Sequence, residues 1–170
     1  MNAKTNVITL GLCKIMVGAA AKSGAMPEEL VKIGKTYKDT AKIQQESSDV
    51  TEHFEEGKAA PEVRKKSRKI PTLTFSLMDC SIQDLIDYIG GENVGTEEEP
   101  KWGYDGNEVV ANKAMKVITE QGLDFEIPNG DIEAVVNADL TASGIFLVDF
   151  TVTPMAVDAG KALRGIPHED

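Results

Sequence analysis

At 170 residues and a net charge of −10, with 41% apolar and 5% aromatic residues, the chain is long enough to bury one core without cross-links. No apolar run reaches the length of a membrane span, and an acidic chain is poorly suited to displacing counterions from nucleic acid. The two cysteines, Cys13 and Cys80, stand among apolar neighbours and read as free buried thiols of a reducing compartment rather than as a disulfide.

The first residues have the outline of a signal peptide, but Lys14 interrupts the apolar run and its first half alternates, so a cleaved signal is not expected. Val7 to Val17 reads as a strand with mixed faces, central in a sheet. Pro27-Glu28-Glu29 starts a turn or short helix that Gly34 ends. Tyr37 to Ser47 is a second strand candidate, with Tyr37, Ala41 and Ile43 on one side and Thr40, Lys42, Gln44 and Glu46 on the other. From Ser48 to Lys69 no apolar period persists. This long charged loop begins acidic (Asp49, Glu52, Glu55, Glu56) and ends basic (Arg64, Lys65, Lys66, Arg68, Lys69), and loops of that length are functional or disordered. Residues 1–69 hold 13 basic and 9 acidic residues, residues 70–170 hold 5 and 19. Such asymmetry suits copies meeting head to tail.

The stretch from Ile70 to Gly91 is the clearest in the chain. Leu73, Phe75 and Leu77 alternate with Thr72, Thr74 and Ser76, the period of a half-buried strand whose other face carries small hydroxyls. Ser81 then opens a helix that runs to about Ile89. Asp84 completes a capping box, Cys80 is placed to staple against Leu85, and Gly90-Gly91 supplies the left-handed stop. Ile82, Leu85, Ile86 and Ile89 form one apolar stripe that must lie against the sheet.

Glu92 to Asn107 is irregular and holds the only Trp, Trp102. Ala114 to Thr119 and Leu123 to Ile127 are short strands, and Pro128-Asn129-Gly130 is a strong turn signal. Asp131 to Leu140 alternates, with Ile132, Ala134, Val136, Ala138 and Leu140 on one face. Ile145 to Thr153 follows, with Phe146, Val148, Phe150 and Val152 on one face, and Pro154 stops it. Residues 155–170 read as a flexible C-terminal tail. The expected fold is a single mainly β domain over residues 1–170, an antiparallel β-sandwich or barrel with one flanking helix and a long charged loop.

Catalytic patterns are missing. The two Cys and two His (His53, His168) lie far apart, and there is no phosphate-binding loop, GxSxG or HExxH. Gly90, Gly91 and Gly95 follow a helix instead of opening one. Capping and a polar helix face account for Asp79, Asp84 and Asp87 more simply than an acid–base group does. No enzyme, cofactor or metal is expected.

The order of these pieces resembles the major tail tube proteins of tailed bacteriophages and prophages over essentially the whole chain. The resemblance lies in KTYKDTAKIQQES, then TEHFEEGKAAPEVRKKSRK, then IPTLTFSLMDCSIQDLIDYIGG, and finally the hairpin set that includes IPNGDIEAVV. The acidic segment Glu97 to Asp105 has no counterpart in that pattern. The resemblance implies a virion structural protein of the tail, made in the host bacterial cytoplasm. Its copies would form stacked, hexameric rings joined into one inner barrel, alongside other tail proteins such as a tape measure and a terminator. DNA would pass through without sequence-specific binding, and no membrane would be involved. It further implies that Thr72, Thr74 and Ser76 face the lumen, that the helix lies outside, and that the loop residues Glu52, Phe54, Glu55, Glu56, Arg64, Lys65, Lys66, Arg68 and Lys69 touch the next ring or subunit. The inner tube of contractile injection systems shares that fold by resemblance. A monomeric β-sandwich binding or adhesin module explains the alternation as well, but neither the reduced cysteines nor the absence of a signal peptide.

Overall fold

The computed structural model describes residues 2–169. It is mainly β, with 45% strand and 4% helix. The strands are β1 (Leu10–Ala19), β2 (Val31–Lys32), β3 (Lys42–Gln44), β4 (Asp49–His53), β5 (Val63–Ser67) and β6 (Thr72–Leu77). After the helix α1 (Ile82–Tyr88) come β7 (Glu92–Asn93), β8 (Trp102–Gly103), β9 (Ala111–Gln121), β10 (Leu123–Ala138), β11 (Phe146–Pro154) and β12 (Arg164–Pro167).

The main antiparallel sheet runs β2-β1-β9-β10-β11-β6-β3, with β12 also on β10. Its two ends are tied together by a short strap. Met16 pairs Lys32 at one end and Thr74 pairs Lys42 at the other. Between them the strap bridges Thr36 to Leu77 and donates from the Tyr37 amide to the Ser76 carbonyl at 2.8 Å. The sheet therefore curls around one core. Ile15 and Val17 of β1, Leu73, Phe75 and Leu77 of β6, and Val148, Phe150 and Val152 of β11 all bury there. Each comes from the apolar phase of an alternating strand, so burial follows directly from the period of two.

The long strand β10 organises the sheet because it changes partner halfway. Phe125 and Glu126 lie between β9 on one side and β12 on the other, whereas from Gly130 onwards β11 takes the place of β12. The change falls at Pro128-Asn129-Gly130, where the register with β9 slips. The expected turn is thus a buried bulge inside one strand. All three residues are buried, the Ala21 amide donates to the Pro128 carbonyl, and the Met155 amide donates to the Asn129 carbonyl. Neighbouring segments satisfy the backbone groups a bulge leaves open, so the chain need not reverse.

Several other expectations change. Residues 48–69 are not irregular, because β4 and β5 pair from Asp49↔Ser67 to His53↔Val63 as a separate ribbon. Every residue of both strands is exposed, so no apolar period could have marked them. The strand expected over Tyr37 to Ser47 shrinks to β3, since Asp39 adopts φ 63° and the Thr40 hydroxyl donates back to the Tyr37 carbonyl. Pro27 to Gly34 forms no helix and contains β2. The expected tail holds β12, fixed to β10 by its backbone ladder and by the Arg164–Glu126 ion pair at 3.1 Å. Residues 92–107 hold the small β7–β8 pair, on which Trp102 stacks with Tyr104 at 5.3 Å. Cys13 is exposed, not buried, because a bulge between Leu12 and Lys14 disturbs the alternation of β1.

Candidate functional site

The helix forms as its sequence dictates. The Ser81 hydroxyl accepts from the Asp84 amide at 3.2 Å, and the Asp84 carboxylate accepts from the Ser81 amide at 3.0 Å. Gly90 and Gly91 follow at φ 119° and 93°. Of the four stripe residues Leu85 is buried, while Ile82, Ile86 and Ile89 are half-buried. Tyr88 meets Phe150 edge-on at 5.2 Å, and Phe150 stacks on Phe75 at 5.0 Å. The helix therefore packs on the core side of the sheet against β10, with Tyr88 reaching Phe150 of β11.

The opposite side of β6 and β11 carries the hydroxyl face. Thr74 lies beside Thr151, which lies beside Glu133, and Ser76 lies beside Asp149, which lies beside Val135. Thr72 and Thr74 are half-buried, as an open face allows. Ser76 departs from the expectation of a lumen-facing hydroxyl. It is only 7% exposed, its hydroxyl donates to Asp149 Oδ1 at 2.5 Å, and the strap's Thr40 hydroxyl accepts from its amide. Asn137 donates to the other Asp149 oxygen at 2.9 Å, so one carboxylate ties three strands together. Neither β6, nor β11, nor the far half of β10 contains a lysine or arginine. Across these strands the face is one of hydroxyls and carboxylates, and Lys42 of β3 borders it beside Thr74.

Beyond Ile132 the far half of β10 has β11 on one side and no strand on the other, among the described residues. Residues 133–138 are thus an open edge. Val135 and Val136 are exposed on it, as are Leu140 and Phe146 near the end of the hairpin. Ile132 and Ala134 keep the expected burial, but Val136, Ala138 and Leu140 lose it as the hairpin passes beyond the core.

All nine predicted contact residues of the charged segment are exposed, and Phe54 is 54% exposed. Glu52 pairs with Arg64 across the ribbon at 3.1 Å, and Lys69 reaches Glu46 at 3.0 Å and Asp49 at 3.6 Å. Lys58 pairs with both Glu55 and Glu62 in the turn. Glu56, Lys65, Lys66 and Arg68 enter no ion pair among the described residues.

Sequence reasoning missed a buried polar cluster under β12. Asp124 accepts from the Thr119 amide at 2.8 Å and from its hydroxyl at 3.0 Å, and meets His168 Nδ1 at 3.1 Å. Burial pushes the Asp124 carboxyl up, but these hydrogen bonds and the imidazole outweigh it and hold the carboxyl below its ordinary 3.8. No spacing in the sequence marks the cluster, because Asp124 and His168 meet only once β12 pairs with β10. No group of side chains able to hold a metal, and no helix long and apolar enough to cross a membrane, occurs among the described residues. No protein-family model matches the chain, and no curated protein matches it.

Proposed function

We propose that the chain is a structural subunit of a phage or prophage tail tube, self-assembling into stacked rings that form a DNA conduit. The observation that carries this reading is the pairing of an open strand edge, residues 133–138, with an adjoining face on β6 and β11 that holds no cation, Lys42 of β3 standing only at its far border beside Thr74. An unpaired edge bearing exposed valines is a template for another chain, and soluble monomers usually blunt such an edge with lysine, proline or a bulge. Here β2 and β3 are short and carry Lys32 and Lys42, whereas the far half of β10 carries no such guard. Continuing the sheet from copy to copy abolishes the edge and turns the hydroxyl and carboxylate face into a wall. Such a wall repels phosphate, as a conduit requires. The sequence resemblance to tail tube proteins supplies the particular assembly, its place in the virion and its companion tail proteins.

The test is assembly itself. Concentrated protein, seeded or unseeded, should form rings or tubes in negative-stain images and sediment as large species. Val135→Lys should suppress that assembly while leaving the melting temperature nearly unchanged, since the side chain it replaces is 50% exposed. A protein that stays monomeric at every concentration and with every seed removes the reading.

A further inference from the structure

The turn of the charged ribbon and an open cleft at the strap are complementary in charge and in polarity. The cleft, of about 970 Å³, lies between β1, residues 35–43 of the strap and its neighbour, and nearby parts of β6, β9 and β10. Leu12, Ile43, Leu73, Val117 and Phe125 give it an apolar floor. Its rim carries Lys14, Lys32, Lys35, Lys38 and Lys42, against which stand only Asp39 and Glu120. A concave apolar surface ringed by one sign of charge is built to receive something apolar that carries the other sign.

The ribbon turn is that complement. Residues 52–62 hold Glu52, Glu55, Glu56 and Glu62 against a single Lys58. At their centre stands Phe54, a large exposed aromatic that packs on no part of the core. A rigid aromatic ringed by polar groups is the composition of an interface anchor. The ribbon supplies none of the residues lining its own molecule's cleft.

Resting on the tube reading above, we propose that Phe54 and its surrounding carboxylates seat in the lysine-rimmed cleft of a second copy. Tip and cleft are different surfaces of one molecule, so the contact is heterologous and repeats from copy to copy. A tip-to-tip contact is disfavoured, because each tip holds four carboxylates against the single Lys58, which already pairs with Glu55 and Glu62, and two such acidic tips would repel. This contact is separate from the β10 edge, so each copy has one sheet-continuing surface and one docking surface.

Cys13 makes the proposal testable, because it is exposed and lines the cleft. Glu55→Cys places a second thiol beside the anchor while keeping Phe54. Cys80 stays out of the reaction, its thiol pushed up to about 12 by burial and by the nearby Asp84 and Asp79. Treating the folded variant with a short bismaleimide should give a ladder of oligomers on a denaturing gel. Adding Cys13→Ser should collapse the ladder to dimers at most, and adding Phe54→Ala or Lys35→Glu should weaken it tenfold or more.

Dimers alone, unchanged by Cys13→Ser, would mean tip-to-tip contact and overturn the proposal. Absence of a ladder while the wild type forms rings or tubes overturns the docking and leaves the tube reading standing. A ladder from protein that never forms rings or tubes keeps the docking and removes the tube. Absence of both overturns both. Absence of a ladder together with saturable binding of decanoate, lost in Lys35→Glu, would give the cleft to a small anionic amphiphile and overturn the proposal as well. Circular dichroism and melting of each variant against the wild type show that every comparison is made on folded protein.

Discussion

The chain contains two antiparallel hairpins built on opposite principles. In β10–β11, Ile132 and Ala134 face Val148, Phe150 and Val152 in the core, and the stack of Phe75, Phe150 and Tyr88 fastens the hairpin to β6 and α1. In β4–β5 every residue is exposed, and only a backbone ladder and ion pairs at the surface hold the strands together. A lone two-stranded ribbon is marginal in water, and exposed ion pairs contribute only about 0–1 kcal/mol each. Folding of the domain thus depends on the first hairpin and hardly at all on the second. What is retained in β4–β5 is a projecting shape with a pattern of charge, which serves contact with another molecule better than it serves stability.

The largest expected effect lies in the packed hairpin. Phe150→Ala removes a side chain that is 1% exposed and leaves both Phe75 and Tyr88 without their partner. Buried Phe→Ala changes destabilise by about 3–5 kcal/mol, against a total stability of roughly 5–15. Denaturant unfolding should show a loss of that size, with assembly failing as a consequence of unfolding. A loss below about 1 kcal/mol would mean that the core does not close around this strand.

The contrast between the hairpins also explains which parts of the structure were legible in the sequence. Leu73, Phe75 and Leu77, the Ser81 cap and the Gly90-Gly91 stop could be read directly, because burial on one face writes a period into the residues. The β4–β5 ribbon buries neither face, so it wrote no period and read as a loop. Pro128-Asn129-Gly130 has the composition of a turn, yet the Ala21 and Met155 amides close its carbonyls, and contacts so distant in sequence are invisible to local reading. Likewise β12 looked like a tail because its partner lies some forty residues earlier. The hydroxyl face was legible at Thr72 and Thr74. At Ser76 it was not, since enclosure by Asp149 and the strap depends on the curl of the whole sheet.

A smaller effect is expected where the near half of β10 is pinned by charge. Asp124 is held below its ordinary 3.8 in the folded protein by Thr119 and His168, despite its burial. A carboxyl with a lowered folded value contributes stability that is fully present above its unfolded value and is lost as pH falls through the folded one. Stability measured from neutral pH downwards should therefore fall once the pH passes below about 4. Asp124→Asn should flatten that acid limb while lowering stability at neutral pH. An acid limb of unchanged steepness would mean that Asp124 does not hold β12 through its charge.

The smallest effect on folding should accompany a large effect on association, and this asymmetry tests the comparison most directly. Arg64, Lys65 and Lys66 all lie on β5, opposite Glu52, Thr51 and Val50. Replacing the three by Glu breaks the Glu52–Arg64 pair and sets like charges across one rung, a change of about 1 kcal/mol or less at an exposed position. The melting temperature should therefore move by no more than a few degrees, because the core is untouched. Association should respond differently, since these three cations lie on β5 away from the acidic tip and suit the acidic remainder of a neighbouring copy, where residues 70–170 hold 5 basic and 19 acidic residues. Their reversal is repeated at every contact around an assembly. We expect rings or tubes to disappear in the triple variant, and wild-type assembly to weaken as salt screens the same charges. If the variant unfolds at a much lower temperature, the ribbon belongs to the folding unit after all. If it assembles as the wild type does, the ribbon is a solvated surface and the contrast between the two hairpins concerns stability alone.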